Sequence, residues 1–78
     1  MRTVRTLETR PLGYAIERVD ERDHLGTLRA SWYEVLCPDD GSVIGSGASR
    51  SEAERIVIAR ELTAAQRAVQ MNRDYHAS

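Results

Sequence analysis

The sequence predicts an α+β domain, a small antiparallel sheet of about three strands packed on one long C-terminal helix. Three observations carry this. Leu28 to Cys37 is rich in strand formers, with Trp32, Tyr33, Val35 and Leu36, and Pro38 stops the run. Asp39-Asp40-Gly41 is a turn signal with Gly where positive φ is tolerated, and Ser42–Gly47 returns as a short strand around Val43 and Ile44. Ser49 stands three residues before Glu52, the spacing of a capping box, and helix formers then continue to about Arg73 without Gly or Pro.

The 78 residues make one domain, barely long enough to hold a core unaided. Residues 1–12 form an edge strand or arm, with Val4 and Leu7 set among Thr and Arg, ending in the turn Pro11-Leu12-Gly13. Tyr14 to Val19 suits a half-buried strand on Tyr14, Ile16 and, less regularly, Val19. Asp20 to Gly26 is charged and closes on Gly, as a hairpin loop does; a helix over Ile16–Arg22 competes with this assignment. The hairpin spans 28–47 and the helix 49–73, roughly 35 Å long at 1.5 Å per residue. Residues 74–78, with His76, form a frayed tail.

The helix carries two apolar stripes. Ala53, Ile56, Val57, Ala64, Ala68 and Met71 share one face, and Ile58, Leu62, Ala65 and Val69 share another well over 100° away. Glu54 and Glu61 lie between the stripes on one side, Arg55 and Gln66 on the other. One stripe buries against the sheet. The other predicts a partner or homodimer surface at Ile58, Leu62, Ala65 and Val69, unless the N-terminal strand folds over it.

Composition narrows the classes. There is no Phe, one Trp and three Tyr, so the core rests on Val, Ile, Leu and Ala, and such small domains often draw stability from association. Cys37 is alone, which excludes a disulfide framework and a cysteine zinc site and suits a reducing compartment. The N-terminus has no apolar run, so neither a signal peptide nor a membrane span is expected, and the host-cell cytoplasm is the expected location. The net charge of −1 gives no global pull toward nucleic acid. Every basic residue is Arg, consistent with a GC-rich genome.

No residue set spells out catalysis. Glu17, Asp20, Glu21, Asp23 and His24 have the donor types of a metal site, but Arg18 and Arg22 are interleaved with them, which suits a solvated loop. Cys37 and His24 lack an orienting third group, and a free Cys packs as a small hydrophobe. Gly45, Gly47, Ser49 and Arg50 lead into the helix N-terminus, where free amides could contact an anion; the competing reading is that the glycines end a strand and Ser49 caps the helix. The expectation is no catalytic residue, no metal and no cofactor.

Tyr33 to Ala59, about a third of the chain, resembles the closing half of a double-stranded-RNA-binding domain. There a hairpin ending Gly-x-Gly-x-Ser runs into a helix of the form Ser-Lys-Lys-x-Ala-Lys. Gly45, Gly47, Ser49 and Ala53 fit, and Arg50 matches the first lysine in charge. Ser51 and Glu54 replace the other two phosphate-binding lysines, and the family's opening helix is missing. The same segment is similar to HicB-type antitoxins, whose strands end in a Gly-x-Ser/Thr turn before an x-x-Glu-Ala helix. These resemblances imply the hairpin-to-helix topology and an RNA-binding or antitoxin role. By type, a short, charge-balanced, Arg-only chain also resembles accessory proteins of phages and mobile elements, anti-CRISPR inhibitors among them, which act by covering a surface of a host complex.

The expected function is therefore a non-catalytic protein-binding module, of the kind that inhibits a host protein complex. An RNA-binding or antitoxin-type module and a small metal-dependent enzyme are the alternatives.

Overall fold

The structure, a computed structural model, describes residues 1–77, and the side chains of residues 1–69. It is an α+β fold of four antiparallel strands and one helix: β1 (Arg2–Thr9), β2 (Ala15–Arg22), β3 (Leu28–Leu36), β4 (Val43–Gly47) and α1 (Arg50–Ala77). The strands form a meander in the order β1-β2-β3-β4. The N-terminal segment, expected as a strand or an arm, is the edge strand β1 and pairs along β2.

Local chemistry sets each connection. Between β1 and β2, Pro11–Gly13 forms a 3₁₀ turn closed by the Tyr14 N–H on the Pro11 carbonyl at 3.0 Å. Leu12 takes φ +53°, an unfavourable conformation for a side-chain-bearing residue. The β2–β3 hairpin turns on Asp23, whose Oδ1 accepts the Leu25 and Thr27 N–H groups at 2.9 and 3.0 Å. The β3–β4 hairpin closes from Cys37 to Ser42 at 2.8 Å, with Gly41 at φ +74° as its turn chemistry demands.

Two boundaries differ from expectation. The segment from Asp20 to Gly26 is not all loop: β2 runs to Arg22, and Asp20 and Glu21 pair with Ser31 and Ala30. Ladder pairing on both sides outweighs the low strand propensity of these charged residues, and it displaces the helix over Ile16–Arg22. The helix runs to Ala77, past Arg73 and through most of the expected tail, since no Gly or Pro interrupts it.

Helix α1 crosses one face of the sheet over β4, β3 and β2. Ile16, Val35, Ala53 and Val57 form the buried core, flanked by Tyr14, Tyr33, Ile44 and Ile56. Burying each such Ile or Val side chain is worth about 1.5–3 kcal/mol. Among the described side chains of the first stripe, Ala53 and Val57 are buried, Ile56 is half-buried, and Ala64 and Ala68 are exposed; Met71 lies outside the described side chains. The helix outruns the sheet, and the molecule extends 65 × 22 × 16 Å.

Candidate interaction surface

Among the described residues no strand or loop covers the second stripe. Ile58, Leu62 and Val69 are 55%, 59% and 59% exposed, and Ala65 between them is exposed as well. Strand β1 does not fold over them, because its partner is β2. The four residues lie on the side of α1 turned away from the core pair Ala53 and Val57.

The helix N-terminus is built differently from an anion seat. The Ser49 hydroxyl accepts the Glu52 N–H at 3.2 Å, and the Ala48 N–H donates to Glu52 Oε2 at 2.6 Å. The carboxylate of Glu52 thus takes a free amide and complements the helix dipole. The expected reciprocal bond reaches Ala48, one residue before the cap. A Cβ on Gly47 would stand 2.7 Å from Glu52 Cβ, and one on Gly45 would stand 3.1 Å from the Ile56 side chain. These glycines let the helix approach β4. Arg50 turns along the helix to Glu54, 3.3 Å away. Gly45, Gly47, Ser49 and Arg50 therefore come together, with the Ser49 hydroxyl, the neighbouring Ala48 amide and the Arg50 charge already partnered inside the chain.

The acidic residues of β2 are dispersed. Glu17 meets Arg5 on the face without the helix, whereas Asp20, on the helix-bearing face, accepts the Ser31 hydroxyl at 2.7 Å and faces Arg18 at 3.4 Å. Asp23 is engaged in its turn. Among the described residues no three His, Cys, Asp or Glu converge as a metal site. Cys37 and His24 lie beyond opposite ends of the nine-residue β3, on the order of 30 Å apart. Cys37 lines a cleft of about 310 Å³ beside α1 with Tyr14, Asp39, Arg60 and Arg67.

Sequence reasoning missed the second face of the sheet. Val19 lies three residues from Ile16 in an unbroken stretch of β2, so the two point to opposite faces, yet both are fully buried. Its neighbours across the ladders are Arg5 and Trp32. Arg5 Nη1 donates to Glu34 at 2.6 Å and Glu17 at 3.3 Å, and Trp32 Nε1 donates to Glu34 Oε2 at 3.0 Å. Glu34 is held below the usual carboxylate range, first by the indole N–H and then by the guanidinium. The signal available in the sequence was Trp32 and Glu34 two apart on one strand, hence on one face.

No family model, curated protein or solved structure matches the chain. No helix among the described residues is long and apolar enough to cross a membrane.

Proposed function

We propose that the protein is a non-catalytic binding module that acts by surface contact with another protein in the cytoplasm, as do the small mobile-element inhibitors it resembles by type. One observation carries this reading: Ile58, Leu62 and Val69, three large apolar side chains in a row, stand more than half exposed on a helix that continues past its own sheet. Such a row in water forgoes about 25 cal/mol for each Å² of apolar surface. Rows of this kind mark protein contact sites. The helix N-terminus weakens the RNA-binding alternative, since the Glu52 carboxylate beside the Ala48 amide places a negative charge there that repels a phosphate.

The test is capture from cell lysate with the wild-type chain and with Leu62→Glu, followed by rebinding of the captured protein in pure form. A stoichiometric complex that the substitution abolishes supports the reading. A wild-type chain that retains no protein overturns it.

A further inference from the structure

We propose that a second copy of this chain covers the exposed stripe, the two α1 helices pairing antiparallel about a twofold axis midway between Leu62 and Ala65. This rests on the reading of the stripe as a contact surface and names a second copy as its occupant in the free protein, which another protein displaces when it binds. Ile58, Leu62, Ala65 and Val69 are spaced four, three and four residues apart, the alternation that keeps a seam turned toward a neighbouring helix.

Side-chain size favours a copy of the same stripe in the opposite direction. Antiparallel pairing sets Leu62 against the partner's Ala65 and Ile58 against the partner's Val69, so that the seam fills evenly. Parallel pairing sets Ala65 against Ala65, leaving a gap, and sets Arg55, the preceding position of the same seam, against its own charge.

Flanking charges agree. In the antiparallel pair Glu61 faces the partner's Ala68, and Ala59 faces the partner's Gln66. The two Glu61 carboxylates stand on the order of 10 Å apart along the axis, about one Debye length. Glu61 is also drawn toward its own domain, where it accepts the Tyr14 hydroxyl at 2.9 Å. The core face of α1, at Ala53 and Val57, lies about 130° around the helix from the stripe, and the antiparallel direction carries the two sheets to opposite ends of the pair.

Size-exclusion chromatography with light scattering tests the association. A dimer at tens of micromolar that dissociates on dilution is expected, and Leu62→Glu should give a monomer with unchanged circular dichroism. Ala65→Arg, an exposed helix position, carries the same test if Leu62→Glu does not fold. Direction is read in a Cys37→Ser background by oxidising a mixture of Leu62→Cys and Ala65→Cys chains. Antiparallel pairing links unlike chains; links between like chains alone overturn it. A wild-type monomer at high micromolar concentration overturns the dimer, and the binding-module reading still stands if Leu62→Glu abolishes capture of another protein. A wild-type dimer that captures nothing has the reverse meaning.

Discussion

Arg5 and Glu34 belong to strands that do not neighbour each other, yet Arg5 Nη1 meets Glu34 Oε1 at 2.6 Å by reaching across β2. With Glu17 and Trp32 they make a polar lid on the face that carries no helix, where Val19 is fully buried. A two-layer domain thereby closes its second face with side chains instead of a further element.

Loss of this lid has a defined pH signature. The carboxyl of Glu34 is depressed from its ordinary value of 4.5, so its contribution is complete above that value and is lost as pH falls through the lower folded one. Glu34→Gln should cost about 1 kcal/mol near neutral pH. Urea unfolding at a series of acidic pH values should show a shallower loss of stability for the variant than for the wild type. Equal slopes would mean that Glu34 is not coupled to folding.

Gly47 and Gly45 should respond unequally to a methyl group. At Gly47 the added carbon meets Glu52 Cβ at 2.7 Å and the Ala53 backbone nitrogen at 3.3 Å, neither of which can move without shifting the helix. Gly47→Ala should destabilise by about 1–3 kcal/mol through overpacking. At Gly45 the contact is the Ile56 side chain at 3.1 Å, which can adjust, so Gly45→Ala should be milder. Urea midpoints of the two variants decide the order.

Val57 and Ile58 are neighbours in sequence with opposite fates. Val57 is 1% exposed in the core and Ile58 55% exposed. Val57→Ala should cost about 2 kcal/mol at any protein concentration. Ile58→Ala should stay within about 0.5 kcal/mol in dilute solution, as an exposed substitution does. Denaturation at low micromolar protein separates the two.

The Tyr14 hydroxyl is raised above its ordinary pKa of 10.0, chiefly by its hydrogen bond to Glu61. That bond contributes below the unfolded value and is lost as pH rises through the folded one. In near-ultraviolet titration, with a Tyr14→Phe chain to identify the signal of Tyr14, Glu61→Gln should lower the ionisation midpoint of that tyrosine. A Tyr14 midpoint that the substitution leaves unchanged would rule the contact out.

Because Glu52 already takes the Ala48 amide, duplex RNA should produce no salt-dependent gel shift at micromolar protein. A shift that weakens steeply with added salt would restore the RNA-binding reading.

Much of the fold is legible in local chemistry. Pro38, Gly41 and the Ser49–Glu52 spacing mark a strand end, a turn and a helix start whichever way the domain packs, because each depends on residues a few positions apart. The apolar spacing of the helix likewise shows two stripes. The polar lid was not legible, since Arg5, Glu17 and Glu34 are far apart in sequence and meet only through the register of three strands.

The sequence by itself determined the α+β class, the 28–47 hairpin, the capped helix and the surplus stripe at Ile58, Leu62, Ala65 and Val69. Tertiary structure decided that residues 2–9 extend the sheet and leave that stripe bare, that Val19 is buried on the face opposite Ile16, and that Gly47 admits Glu52 beside it. The reason is physical. Caps and turns are set by hydrogen bonds within a few residues, whereas the choice of a strand's partner, and therefore of what remains exposed, compares the burial offered by surfaces that no short stretch of chain contains.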